Sequence, residues 1–319
     1  MATSQKVQAL RHSTFSTPLK SVRHLSSRSP PSSAAPALIE VENKFRPSGY
    51  LKELLGLAPP TRPTISSLLL GPKIYPSLSF EAQTGKLIKD QYYDSNNKLS
   101  SQGIWLRYRM SRSVTEKVTD MNWRDLPPTD DPSAFARWEA KVKISGDYQD
   151  SAFTEVEGGA AVFGMLPSRR DFDFEKLNMV AWLNTYRSSW RIASKLLSQQ
   201  QHVDIPSHPT TDESFIVVID NIEQGLSHLS DKGAGRPDAF HHEIGEIELT
   251  ASLSTAGLSD GEIVEAEAGR AGEMRMRIKA LMMRYPASFP PGDEKVDGKL
   301  SAYLAWRRKE RLGGCFGEV

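Results

Sequence analysis

Like charges paired at i, i+2 constrain this chain more than any other feature. Side chains of a β-strand alternate between two faces. In the stretch Ile39–Phe45, Glu40, Glu42 and Lys44 therefore share one face, and Ile39, Val41 and Phe45 take the other with Asn43. The spacing recurs with the signs sorted. Glu246 and Glu248 form a second acid pair, while Arg107 with Arg109 and Lys141 with Lys143 form base pairs. A solvated strand face is the ordinary explanation of any one pair. A sandwich, however, scatters mixed charge over its outer faces, and four sorted pairs fit that poorly. A closed barrel with a charged interior accommodates them all, with the apolar faces turned outward beneath helices. Buried like charges repel unless a counter-ion arrives. The acid pairs then call for a hard divalent cation such as Mg²⁺ or Mn²⁺, and the base pairs for a polyanion.

Composition narrows the function classes. The 319 residues carry a net charge of +1, so general affinity for nucleic acid or a membrane surface is not expected. No apolar run approaches the roughly 18 residues of a membrane span. The single cysteine, Cys315, excludes an intrachain disulfide or a thiolate metal cluster within one chain. The first 39 residues lack Asp and Glu but carry Lys6, Arg11, Lys20, Arg23 and Arg28 among serines and threonines. That pattern fits a mitochondrial transit peptide over residues 1–36. A disordered tail on a cytoplasmic protein is the alternative. Residues 37–319 are read as one domain.

Along the chain, Tyr50–Gly56 reads as a short helix with Ser48 as N-cap and Gly56 as stop, before a proline-rich loop at Pro59, Pro60 and Pro63. Residues 76–94 read as two strand halves around Thr84-Gly85, followed by a turn at Ser95-Asn96-Asn97. Gly103–Met110 is a strand with Trp105, Arg107 and Arg109 on one face. Residues 111–134 read as a polar excursion. Strands follow at Phe135–Ile144 and Ala152–Glu157, then a helix capped by Asp173 and running through Leu183. Strand patterns return within 184–196, at Phe215–Asp220 and at His241–Leu249. In the last, His242 shares the face of Glu246 and Glu248, where a structural role is expected of it. Asp260–Arg284 has helical periodicity, and a final helix is expected from an N-cap at Asp297 to Gly313-Gly314.

These residues carry a resemblance. Glu40-Val41-Glu42-Asn43-Lys44 matches the ExExK signature of the CYTH superfamily, the triphosphate tunnel metalloenzymes. The other marks follow in family order: Tyr92-Tyr93-Asp94, Trp105-Leu106-Arg107-Tyr108-Arg109, Trp138-Glu139-Ala140-Lys141, Arg187, Asp220, Glu246-Ile247-Glu248 and Lys299. Within the superfamily the chain looks most like the thiamine triphosphatases. The resemblance implies an α+β fold, an eight-stranded antiparallel β-barrel forming a tunnel with a charged interior and flanked by helices. It implies metal-dependent hydrolysis of thiamine triphosphate to thiamine diphosphate and phosphate, with inorganic tripolyphosphate hydrolysis or non-catalytic polyphosphate binding as alternatives.

By the same resemblance, Glu40, Glu42, Asp220, Glu246 and Glu248 are metal positions for Mg²⁺ or Mn²⁺. Lys44, Arg107, Arg109, Lys141, Arg187 and Lys299 bind the triphosphate. Lys141 is the candidate for activating the attacking water, on the expectation that crowding by cations lowers its pKa. Tyr92 either assists it or packs. Trp105 either stacks on the organic part of the substrate or packs at the rim. Glu155 and Glu157 have no assigned role, and Asp94, Glu139 and Lys143 suit structural ion pairs. The segments 111–134 and 222–239 are longer than in the thiamine triphosphatases and could cover a tunnel mouth. A small-molecule triphosphate is the only partner implied, and a monomer is expected.

Overall fold

The structure, a computed structural model, describes residues 37–57, 78–114, 135–147, 149–166, 176–193, 214–224, 239–290 and 295–313. All fall within one compact unit, Pro36–Val319. The strands are β1 (Ala37–Phe45), β2 (Phe80–Ala82), β3 (Gly85–Asp94), β4 (Ile104–Val114), β5 (Phe135–Gly146), β6 (Asp150–Glu157), β7 (Asn178–Ile192), β8 (Ile216–Gln224) and β9 (His241–Leu253). The helices are α1 (Gly49–Leu54), α2 (Gly159–Met165), α3 (Asp260–Arg284) and α4 (Lys299–Gly313).

The strands form one antiparallel sheet in the order β2-β7-β3-β4-β5-β6-β1-β9-β8, and β8 pairs back onto β7 to close it. β2 and β3 lie end to end along the same edge of β7, opposite Trp190–Ile192 and Asn178–Arg187 respectively. Among the described residues nine strands thus fill eight barrel positions, and the fold is the closed, helix-flanked antiparallel barrel of the α+β class that the charge pattern predicts.

The two faces of each strand separate as the period-two pattern requires. On β1, Ile39, Val41 and Phe45 face outward into a core completed by Ala271, Met274, Ile278 and Leu281 of α3. Each large aliphatic side chain removed from water there contributes about 1.5–3 kcal/mol. α3 starts at a full capping box, with Ser259 and Glu262 satisfying each other's backbone N–H. A second outer cluster packs Ile104, Leu106 and Ala140 beneath Val162 of α2 and the adjoining Leu166. At one end of the barrel, inward-facing Leu183, Ile222 and Ile244 meet Val296 and, on α4, Tyr303, so the charged interior ends there in an apolar layer. Gly245 is required by close approach: a Cβ there would stand 2.4 Å from the ring of its cross-strand partner Phe45.

Several expectations change. Residues 178–183, predicted as the end of a helix, belong to β7. Over these residues the strand pairs with β3, and with β8 from Leu183 onward, and this pairing outweighs a local helical reading. Asp173, its expected cap, lies outside the described residues. β4 runs to Val114, so residues 111–114 are strand rather than excursion, and 115–134 are outside the description. α4 begins at Lys299, two residues after the expected cap Asp297, and the Gly298 carbonyl accepts from Ala302 N–H. α2 has no counterpart in the sequence reading. The Ser48 cap is as expected: its hydroxyl accepts from Leu51 N–H at 3.1 Å. The proline-rich loop, residues 1–36 and residues 225–238 lie outside the described residues.

Candidate active site

The two carboxylate strands are neighbours. β1 pairs with β9 so that Glu42 faces Glu248 and Lys44 faces Glu246. Next to them, β8 pairs with β7 so that Asp220 faces Arg187. Arg187 makes a two-pronged contact with Asp220 at 2.8 and 2.7 Å and reaches Glu248 at 3.1 Å and Glu246 at 3.4 Å. Lys44 bonds Glu42 and stands 3.9 Å from Glu246.

This wall holds more negative charge than its bases balance. Burial, reinforced by Glu42, pushes the Glu246 carboxyl up to about 8. Burial likewise pushes Glu40 up to about 7, with Glu155 and Glu42 adding to it against the pull of Lys141. Glu248 is raised mainly by burial, with Glu40 and Glu42 opposing its charge. Glu42 goes the other way, because Lys141 and Lys44 outweigh its burial.

The basic wall comes from β4, β5 and α4. Arg109 forks onto Asp90 at 2.7 and 2.8 Å, and Lys299, the first residue of α4, donates to the same carboxylate at 2.9 Å. Asp90 is fully buried, and these cations with Arg107 hold its pKa well below the usual range despite burial. Arg107 pairs with Glu139 at 2.8 Å. Lys141 contacts Glu40 at 2.5 Å, Glu42 at 3.3 Å and Glu155 at 3.5 Å.

Lys44, Arg107, Arg109, Lys141, Arg187 and Lys299 all line one cavity of about 340 Å³, together with Glu40, Glu42, Glu246 and Glu248. The barrel thus brings the predicted cations and carboxylates of five strands and a helix into one space. Asp220 is the exception: it is buried behind Arg187 rather than on the cavity wall. Tyr92 is on the wall, opposite Arg107 in the β3–β4 ladder. Trp105 is there too, opposite Lys141 in the β4–β5 ladder, with its ring edge-on to Phe153 at 5.3 Å.

One expectation fails on electrostatics. Lys141 was expected to have a lowered pKa. Burial does disfavour its charge, but Glu40, Glu42 and Glu155 outweigh burial and hold it well above the ordinary lysine value. At neutral pH its ammonium keeps its proton and cannot take one from water.

Three acids are more involved than the sequence reading foresaw. Asp90 is the hub of the basic wall. Glu139 joins Arg107, Arg109 and Arg137. Glu155 lies 3.5 Å from Lys141 and 3.9 Å from Arg107. Cross-strand register places each opposite or diagonal to a predicted cation, a signal visible only once the strands are paired. Glu157 pairs with exposed Arg137 at 2.7 Å. Asp94 is structural, accepting N–H groups of Ser95, Leu99 and Ser100 at 2.6, 2.9 and 3.1 Å. His242 also holds structure: its Nε2 lies 3.0 Å from the carbonyl oxygen of Asp297, where it donates.

The fit to a divalent cation rests on the donor set. Among the described residues no three such side chains already converge as a cation cage; the carboxylates point at ammonium and guanidinium groups. The donors are nonetheless all oxygens, as a hard cation prefers. The upward pressure on Glu40, Glu246 and Glu248 is the electrostatic mark of a wall that an added positive charge would stabilise.

No family model matches the chain, and no curated protein matches it. Among solved structures, 26 chains do. One is a Hippeastrum protein, a candidate adenylyl cyclase described as having a dominant triphosphatase activity. The match has 14% identity, a TM-score of 0.38, and covers 84% of this chain and 95% of that one. A candidate adenylate cyclase from Vibrio parahaemolyticus matches at 14% identity and a TM-score of 0.35, covering 83% and 98%. A Pyrococcus horikoshii protein matches at 14% identity and a TM-score of 0.37, covering 84% and 99%.

Proposed function

We propose that this chain hydrolyses the terminal phosphoanhydride bond of a triphosphate with the help of a divalent cation, and that its substrate is thiamine triphosphate, released as thiamine diphosphate and phosphate. One observation carries the reading: the six predicted cations and four of the predicted carboxylates line a single cavity inside a closed barrel. A linear triphosphate is the small polyanion such a basic wall suits. Arginine forks take two phosphate oxygens at once, and Arg107, Arg109 and Arg187 each present one. All six cations already hold carboxylates, so phosphate would enter by exchanging partners with Asp90, Glu139 and the β1 and β9 acids.

Glu40, Glu42, Glu246 and Glu248, with Asp220 behind them, would hold Mg²⁺ or Mn²⁺, which when bound neutralises phosphate charge and makes water a better nucleophile. Lys141, fixed as a cation, serves as an electrostatic clamp on the charge that develops during phosphoryl transfer. Tyr92, opposite Arg107 in the β3–β4 ladder, would orient a phosphate oxygen or the attacking water. Trp105 supports the thiamine assignment, because an indole face on the cavity wall attracts an organic cation such as thiazolium. The dominance of charged side chains on the lining favours a second reading, hydrolysis of inorganic tripolyphosphate.

Phosphate release from thiamine triphosphate, tripolyphosphate and ATP, measured side by side with Mg²⁺, tests the assignment. Preference for thiamine triphosphate, lost on Trp105→Ala while tripolyphosphate turnover persists, is the expected result. Equal or faster use of tripolyphosphate by the unaltered protein would exclude thiamine triphosphate as the preferred substrate.

A further inference from the structure

A second cavity, of about 390 Å³, adjoins the first where α4 crosses the barrel rim. The two share Tyr92, Trp105 and Leu300 as walls, so an occupant of one is a neighbour of the other. Their chemistry differs sharply. The tunnel cavity is walled by paired charges, whereas the side cavity is lined mainly by Tyr93, Ile104, Leu106, Met179 and Leu304. Among the described residues its only carboxylate, that of Asp94, is engaged by three backbone N–H groups. Arg307 is tied to the Val180 carbonyl at 2.9 Å, and exposed Arg308 stands at the margin. The local field is therefore positive, and beyond the shared Trp105 the described wall offers no free carboxylate to a cation.

We propose that this side cavity takes the organic end of a triphosphate ester, and that it selects a flat, uncharged aromatic ring. The inference rests on the triphosphatase reading and extends it. With the phosphates among the tunnel cations, the ester carbon chain passes Trp105, and the ring beyond it lies between Tyr93, Met179 and Leu304. The aminopyrimidine of thiamine and a nucleobase are both flat and uncharged. The shared chemistry is an aromatic ring offered to an apolar slot, and the arms of the experiment separate the two sources. Burying such a ring adds affinity that inorganic tripolyphosphate cannot gain, since it has nothing to place there.

Two variants on exposed positions test this. Met179 is 48% exposed, so Met179→Ala trims the slot without opening a core. Ser100, exposed on the 3₁₀ turn at the cavity margin, accepts Ser100→Trp, which fills the slot. Calorimetric titrations with tripolyphosphate, thiamine triphosphate and ATP in EDTA give dissociation constants for each protein. For at least one ester, Ser100→Trp should weaken binding about tenfold and Met179→Ala severalfold, with tripolyphosphate unchanged within about twofold. The ester that responds names the ring. The proposal is overturned if the variants weaken ester and tripolyphosphate alike, if they weaken neither, or if the unaltered protein binds tripolyphosphate as tightly as both esters. In each of those cases tripolyphosphate still binds and the triphosphatase reading stands. Failure of all three ligands to bind, in EDTA and again with Mg²⁺ added, would remove that reading and this one together.

Discussion

Asp90 is where the structure makes its sharpest demand. Its carboxylate is fully buried and holds Arg109 at 2.7 and 2.8 Å and Lys299 at 2.9 Å, so it ties β3 to β4 and to the start of α4. Asp90→Asn keeps the shape and removes the charge. Two largely buried cations, their side chains 14% exposed, are then left without their shared partner, and breaking a buried pair costs about 3–5 kcal/mol. At roughly 2–4 °C per kcal/mol for a domain of this size, a 3 kcal/mol loss lowers Tm by roughly 6–12 °C. The sign with pH is equally specific. The folded pKa of Asp90 is depressed, so its contribution is full above the unfolded value of about 3.9 and is lost only as pH falls below that. The variant should therefore be weaker at neutral pH and lose less than the unaltered protein between about pH 4 and pH 2. Saturating tripolyphosphate should narrow the neutral-pH gap, because phosphate supplies the negative charge that Arg109 and Lys299 have lost. Urea unfolding with and without tripolyphosphate, repeated across pH, measures all three effects. Unchanged stability in Asp90→Asn, or a gap that tripolyphosphate leaves untouched, would refute the argument.

Other consequences are as direct. Gly245→Ala puts a Cβ 2.4 Å from the Phe45 ring and should cost about 1–3 kcal/mol in urea unfolding; an unaffected midpoint would mean the β1–β9 approach is looser than described. His242→Ala removes the anchor on the Asp297 carbonyl, two residues before Lys299. KM for the triphosphate should rise about fivefold with kcat little changed, and an unaltered KM would count against that anchoring role. Glu139 titrates at about 2, because Arg107 and Arg109 outweigh its burial. It contributes about 3 kcal/mol above pH 4.5, lost as pH falls toward 2, so Glu139→Gln should flatten the acid limb of the stability profile.

The barrel interior was legible in the sequence because its rule is local. Alternation along β1 alone separates Glu40, Glu42 and Lys44 from Ile39, Val41 and Phe45, and the structure keeps that separation. What depends on strand neighbours was not legible. Residues 178–183 become strand because β3 pairs along them, with β8 joining at Leu183. Lys141 changes the direction of its expected pKa shift because β1 and β6 bring Glu40, Glu42 and Glu155 to it. Asp90 reads as one more polar strand residue until β4 and α4 bring Arg109 and Lys299 onto it. Burial of Asp220 behind Arg187 likewise follows from the β7–β8 register, not from the spacing of either strand.

The central claim is that the β1 and β9 carboxylates make phosphate release depend on a divalent cation. The decisive measurement is the rate of phosphate release from tripolyphosphate and thiamine triphosphate as Mg²⁺ is titrated into chelator-treated protein, for the unaltered chain and for the double variant Glu40→Gln, Glu42→Gln. The account predicts a rate that rises from near zero with Mg²⁺ in the unaltered chain and falls to about a hundredth or less in the variant, with the variant still folded by circular dichroism. Hydrolysis that persists in chelator, or that survives both substitutions intact, would contradict it.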